Sequence, residues 1–396
     1  MNLAEADVVV AGGGVIGCSV AYHAAKRGMS VVVVERNDVG SGTSSACDKA
    51  AILQSKSPGP HLELAIKSVA MFDDLSRELE MDVQYARAGG MVLIETESQL
   101  RVMECMVRRQ RQAGLPVEML PPTEVLRRLP VASRNIVGAT WSSLDAEVNP
   151  LHLVRALTAG AKRLGARFLM QSEVTGLLFE GDRVCGVETP CGRIHARWVV
   201  NAAGAWAPVI GRMANVDVPI RPRRGQLLVS ERMPRVIHGD VLCARYIVAK
   251  LGKTIGLAPE EGNGAEAALG VGLSLCQTQN GNVLLGGCRE FVGYDTRNTY
   301  EAITAISAHA LKMVPGLRNV NFIRAFAGLR PYTPDGMPIL GFVTEAPGLV
   351  MAAGHEGDGI ALSPITGSLI AELIDTGKTP VPIEPFLISR FDKSAA

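Results

Sequence analysis

Apolar residues in this chain fall into short uninterrupted runs that alternate with helical stripes. Asp7 to Ala11 (DVVVA) and Ser30 to Glu35 (SVVVVE) lack any polar alternation, which marks parallel strands buried on both faces. Val15 to Arg27, between them, reads as a helix, so a βαβ unit opens the chain. After Pro60, Leu62, Ile66, Val69, Phe72, Leu75 and Leu79 recur at three- and four-residue spacing and predict a long amphipathic helix. From Val83 to about Asn149 the pattern changes to short strands and polar helices, including the Arg-rich segment Gln99 to Ala113, bounded by Pro121, Pro122 and Pro130. A helix over Leu151 to Leu164 follows, then a strand at Phe168 to Met170. Next come a hairpin of Glu173 to Phe179 with Arg183 to Glu188 and a buried strand at Trp198 to Asn201.

Strands dominate from Pro219 to about Phe326: Gly225 to Ser230, Tyr246 to Lys250, and a hairpin of Ser274 to Gln279 with Val283 to Cys288. Gly252 to Gly270 has no period and reads as a surface loop or a short helix. A strand at Leu349 to Ala353 and a helix at Ile360 to Ile374 restore the α/β pattern. The expected architecture is a Rossmann-like α/β domain of residues 1–82, 150–218 and 327–396. It is interleaved with an α+β, mixed-sheet domain of residues 83–149 and 219–326.

Composition narrows the function. A chain of 396 residues, 47% hydrophobic and 20% charged, is globular rather than disordered. Lys and Arg number 40 against 39 Asp and Glu, which gives no electrostatic excess for gripping a nucleic acid. No apolar run approaches the roughly 20 residues that span a bilayer, and a strand begins by Asp7 without a basic leader before it. A cytoplasmic address is expected, with peripheral contact to a membrane left open. The eight cysteines are scattered without a CxxC, which argues against iron–sulfur and structural zinc sites and for free, mostly buried thiols. There is no HExxH and no Ser/His/Asp constellation, and His23, His61, His152, His195, His238 and His309 stand apart in sequence, so a hydrolase or a metalloenzyme is disfavoured.

The chemistry sits at the start. Gly12, Gly14 and Gly17 supply GxGxxG between strand and helix: the first turns the chain, the second admits a pyrophosphate, the third lets helix meet strand. Val15 and Ile16 open the helix whose N-terminus then faces an anion. Glu35, followed by Arg36, ends the second strand about 20 residues further on, where a carboxylate bonds ribose hydroxyls and opposes a 2′-phosphate. This unit alone does not separate NAD from FAD. Ser41 to Ala46 (SGTSSA) then offers backbone N–H groups and the hydroxyls of Ser41, Thr43, Ser44 and Ser45 to a pyrophosphate or ribityl chain.

With these residues the chain resembles the D-amino acid oxidase (DAO) family of FAD-dependent oxidoreductases. Six ordered blocks carry the resemblance: AGGGVIG at 11–17, ER at 35–36, SGTSSA at 41–46, VVNAAGAW at 199–206, GLRPYTPDGMPILG at 328–341 and GHEGDGIALSPITG at 354–367. Within the family the layout is most similar to the β-type subunits of hetero-oligomeric hydroxyproline dehydrogenase, opine oxidase, hydrogen cyanide synthase and sarcosine oxidase. The resemblance implies FAD on the N-terminal unit, with Val174 near the adenine, Ala202 to Gly204 behind the pyrophosphate, and Trp206 closing that block. It also implies that Gly354, His355, Gly357, Gly359 and Ile360 lie near the flavin, where bare backbone N–H groups ahead of a helix suit the negative charge of reduction. His355 reads equally as a flavin contact or a helix-cap histidine. Cys47 and Asp48 fall where the family chain crosses the flavin ring, yet no motif supports a thioether, so noncovalent FAD is expected.

Flavin oxidation of a C–N bond asks mainly for positioning, and a guanidinium fork suits an amino-acid carboxylate. By resemblance Arg330 in GLRP is that arginine and Tyr246 in ARYIVAK the tyrosine that shares the carboxylate. Asp335, between Pro334 and Gly336, reads as a turn former, and Arg223 and Arg224 as either flavin neighbours or a solvated strand end. The expected reaction is dehydrogenation of a secondary or D-configured α-amino acid. Lacking a cysteine cluster, the chain must pass electrons to oxygen, a quinone or other respiratory acceptor, or another subunit, and a subunit carrying a second flavin or an iron–sulfur centre is expected. A self-sufficient oxidase and a FAD-bearing assembly subunit are the alternatives.

Overall fold

The computed structural model describes residues 2–251 and 264–392. Two sheets of eight strands each organise it. In the first, Asn2–Ala11 lies in parallel between Val31–Val34 and Gly192–Asn201, pairing Val9 with Val32 on one side and Val199 on the other. Val8, Val9 and Val10 have no exposed surface, which is why this strand is an unbroken valine run. The sheet continues through Leu349–Ala353 and Ile339–Phe342 at one edge and Arg167–Leu169 at the other. The hairpin Gly176–Glu180 and Arg183–Thr189 extends from the start of Gly192–Asn201.

Helices Val15–Lys26, Pro60–Glu78, Pro150–Arg163 and Gly359–Thr376 share one apolar core with this sheet. Val15–Lys26 and Gly359–Thr376 touch closely at Gly367, where Ser19 Oγ donates to the carbonyl of Ser363 at 2.6 Å. Pro364 lies inside the second of these helices and donates nothing to the carbonyl of Ile360; Ser363 Oγ bonds that oxygen instead, at 3.0 Å.

The second sheet runs Phe322–Tyr332, Arg221–Arg232, Asn282–Gly286, Ser274–Gln277, Asp240–Cys243, Gly90–Ile94, Gly138–Ser142, Glu118–Leu120. It is antiparallel except where Asp240–Cys243 runs parallel to Gly90–Ile94. One face packs Leu228 and Leu285 against Ile306 and Met313 of helix Tyr300–Met313. The long strand Phe322–Tyr332 carries this sheet past residue 327, where a return to the first domain was expected.

Two sequence expectations fail here. Tyr246 to Lys250 is not a strand but part of helix Ala244–Leu251. Its β-branched Ile247 and Val248 suggest a strand, yet Ala244, Ile247 and Val248 sit at helical spacing and pack on Val92, Ile94, Met103 and Met106, so tertiary contact overrides propensity. The strand-rich pattern of residues 219–326 also conceals helix Tyr300–Met313, although Thr299 caps it by accepting from the Ala302 N–H at 3.3 Å. Of the Gly252 to Gly270 segment, residues 252–263 lie outside the described residues; the remainder contains the short helix Ala265–Ala268. Among the described residues no helix is long and apolar enough to cross a membrane.

Candidate cofactor and substrate site

A cavity of about 350 Å³ opens at the C-terminal ends of the first sheet's parallel strands and is roofed by Gly225, Leu227, Leu242 and Ser274 of the second and by Arg289, which follows its strand Asn282–Gly286. Ligands of open α/β sheets bind outside those strand ends. The three glycines of the opening turn divide the labour. Gly12 has φ of +113°, and a β carbon there would lie 2.6 Å from the carbonyl oxygen of Ala202. One on Gly17 would overlap the carbonyl oxygen of Gly12, so Gly17 serves packing and does not line the cavity. Gly14 differs: a β carbon would meet only Ser44 Oγ, at 3.3 Å, leaving space the chain's own packing does not use.

The loop after the second strand is stitched to this turn. Ser44 Oγ accepts from the Val15 N–H at 3.0 Å, and Thr43 Oγ1 donates to the Leu329 carbonyl at 2.5 Å. Ser41, Thr43, Ser44 and Ala46 line the cavity together with Val15 and Ile16, whereas Ser45 is exposed and turns its hydroxyl to the Gly42 carbonyl. The Glu35 carboxylate accepts from the N–H groups of Gly13 at 2.7 Å and Asn37 at 2.8 Å, at the rim. Beside it the Arg36 guanidinium lies 4.0 Å over the Trp206 ring, which stacks in turn on Tyr294. Val174, Ala202 and Gly204 complete this end.

The other end is framed by the turn from Gly354 to Gly359, ahead of helix Gly359–Thr376. Gly354 has φ of +79°, and Gly357, Gly359 and Ile360 line the wall. His355 is neither exposed nor a cap: its Nε2 pairs with Thr366 Oγ1 at 3.0 Å, and burial, with His61 beside it, pulls its pKa down to about 3, so the imidazole is neutral. Arg223 forms an ion pair with the buried Glu356 and covers the Tyr332 ring at 4.8 Å. Arg224, 3% exposed, pairs with Glu290 at 2.8 Å and Asp295 at 3.2 Å. Neither arginine is a solvated strand end; Arg224 instead pins residues 290–295, which bring Tyr294 onto Trp206. Asp335 is a turn residue that accepts from the Met337 N–H and pairs with Arg390.

Arg330 points into the cavity, its Nη1 donating to the Cys288 carbonyl at 3.1 Å. Its strand crosses the loop so closely that a β carbon on Gly328 would lie 2.6 Å from the Ala46 carbonyl oxygen. Cys47 and Asp48 line the same end; Asp48 accepts from Ser274 Oγ at 2.6 Å, and burial pushes the Cys47 thiol up, away from the reactive thiolate. Tyr246 falls within helix Ala244–Leu251, and its side chain lies outside the described residues. Sequence reasoning missed Lys56, Glu356 and Asp358. His61 and His309, apart from other histidines in sequence, are not isolated in the fold. His61 Nε2 is 3.4 Å from Asp358, and His309 sits by Glu95 and Cys243. That cluster has ligand-type atoms, but Glu95 is already paired with Arg245 and Lys312.

Known proteins are similar to this chain along nearly its whole length. The family model described as FAD dependent oxidoreductase, DAO, matches residues 7–373. The hydrogen cyanide synthase subunit HcnC of Pseudomonas aeruginosa is 32% identical over 98% of this chain and 97% of its own. The glycine oxidase of Geobacillus kaustophilus is 29% identical over 97% of each. Among solved structures, L-proline dehydrogenase from P. horikoshii superposes with a TM-score of 0.86 at 28% identity, covering 98% of both chains. The matched span runs from the first strand through most of the last long helix, the elements that build the cavity, and the chain therefore belongs to the DAO family of FAD-dependent oxidoreductases.

Proposed function

We propose that this chain oxidises the C–N bond of a secondary or D-configured α-amino acid, of the hydroxyproline, opine, sarcosine or glycine-like kind, and passes the electrons to a partner subunit. FAD fits the cavity on the chain's own terms: Gly14 leaves an unused space at the N-terminus of helix Val15–Lys26, with the Glu35 carboxylate at the rim. Gly12, Gly14, Glu35 and the Ser41 to Ala46 loop would hold the dinucleotide, Arg36, Val174 and Trp206 its adenine end, and the turn from Gly354 to Gly359 its reactive end. The protonated Cys47 thiol favours noncovalent binding. When bound, FAD supplies the acceptor for a hydride from the substrate's α-carbon.

The chain's own residues bind and orient. Arg330 carries the reading: a guanidinium held from behind by the Cys288 carbonyl faces the cavity, where it would grip a carboxylate bidentately. Ile52, Leu227 and Leu242 line the same space with apolar surface, and a low-dielectric wall would strengthen that charge pair. Relatives named as a hydrogen cyanide synthase subunit, a glycine oxidase and an L-proline dehydrogenase support an amino-acid substrate, and the word subunit in the first supports a partner.

Mixing the purified flavoprotein anaerobically with D-, N-methyl and cyclic amino acids tests this. Flavin bleaching with at least one is expected; bleaching with none would leave a FAD-bearing assembly subunit. The relatives named glycine oxidase favour a second reading, direct return of electrons to dioxygen. Fast reoxidation by an artificial dye but slow peroxide formation in air separates the dehydrogenase from it.

A further inference from the structure

Both acidic residues of the turn from Gly354 to Gly359 are buried, Glu356 at 6% and Asp358 at 7% exposure, and both meet a cation from a distant segment. Arg223 pairs with Glu356. Lys56, 1% exposed, places its Nζ 2.6 Å from Asp358 Oδ1, and its remaining protons reach the Ile52 carbonyl and, at 3.0 Å, Ser55 Oγ. Three donors thus meet three acceptors, the condition for burying an ammonium at all. Asp358 occupies the N-cap position of helix Gly359–Thr376, yet its side chain makes no capping bond and is directed to Lys56 instead. His61 and His355 also face this carboxylate, His61 Nε2 at 3.4 Å.

We propose that Lys56 is a positioning residue of the redox site: by neutralising Asp358 it keeps the cavity wall at this turn free of net negative charge, so that the positive end of helix Gly359–Thr376 favours the electron-rich, reduced cofactor. An uncompensated carboxylate at that N-cap would oppose negative charge gained nearby. The inference rests on FAD occupying this cavity.

Reductive titration of the holoprotein against a reference dye tests it through the midpoint potential. Lys56→Met is expected to lower the reduced-to-oxidised ratio at fixed potential about tenfold, a shift of about 30 mV for a two-electron couple. Asp358→Asn is expected to shift it the opposite way, and the double variant to return near the wild-type potential. Single shifts of the same sign, or no shift with FAD fully bound, overturn the proposal. If the single variants do not fold, the charge-free double variant decides: a near wild-type potential supports the proposal, and displacement by more than about tenfold overturns it. Gly14→Val separates the underlying reading, because a variant that keeps its flavin would put FAD elsewhere.

Discussion

Gly225 and Arg330 share one piece of space. Their strands are paired antiparallel, Gly225 opposite Gly328 and Arg330 opposite Arg223, and a β carbon on Gly225 would overlap Nη1 of Arg330 and lie 2.5 Å from its Cζ. The absence of a side chain at Gly225 is what lets the guanidinium lie across the strand and face the cavity.

Gly225→Ala is therefore expected to retain FAD while reducing kcat/KM for amino acids by about 10- to 100-fold, since a misplaced fork loses its bidentate geometry. Arg330→Ala, which leaves a carboxylate desolvated and unpaired, should cost about two to three orders of magnitude, and Arg330→Lys should not restore it. Amines without a carboxylate should respond little to either change. Steady-state kinetics with paired substrates checks this, and equal losses for both classes would place the carboxylate elsewhere.

The glycines of the opening turn should separate folding from binding. Gly17→Val drives a side chain into the Gly12 carbonyl, so an insoluble or thermally labile chain is expected. At Gly14 a β carbon would meet only Ser44 Oγ, so Gly14→Val should give a soluble protein purified without flavin. Absorbance spectra and melting curves of the two variants distinguish these outcomes.

What the sequence disclosed follows from how local each signal is. Parallel strands buried on both faces must be continuous apolar runs, so Asp7 to Ala11 and Ser30 to Glu35 announce the βαβ unit, and Gly12, Gly14 and Glu35 follow from it by spacing. Arg330 became legible only through its motif, because nothing near it in sequence says that Gly225 makes room. Lys56 and Asp358 are 302 residues apart, and a lysine in a polar loop ordinarily reads as solvated. Half of the residues that helix Tyr300–Met313 buries are alanines, Ala302, Ala305 and Ala310, and His309 is another, which leaves a faint apolar stripe.

Glu35→Ala is expected to weaken FAD binding by about 10- to 100-fold, the worth of one hydrogen bond to a charged group. It also strips the Gly13 and Asn37 N–H groups of their acceptor, so part of the loss reflects a looser rim. Flavin occupancy after dialysis and fluorescence titration of the stripped protein measure it. Undiminished affinity would remove Glu35 from the ribose site.

Acid sensitivity should trace in part to His23, in the first helix and far from the substrate end. It is 8% exposed, its Nε2 has no partner among the described residues, and burial, aided by Lys26, pulls its pKa down to about 4. A depressed histidine stays neutral in the fold while the unfolded chain takes up a proton below about 6.5, so its contribution is complete above that pH and is lost as pH falls toward 4. The slope for one such proton is about 1.4 kcal/mol per pH unit. Asp145, which burial pushes up to about 6, acts in the opposite sense over the same range, but its effect cancels when wild type and variant are compared. His23→Phe, which keeps a ring against Tyr22, should therefore flatten the fall in stability between pH 6.5 and 4 by up to one proton's worth. Denaturant unfolding at several pH values gives the two slopes, and identical slopes would mean that His23 is protonated within the folded helix.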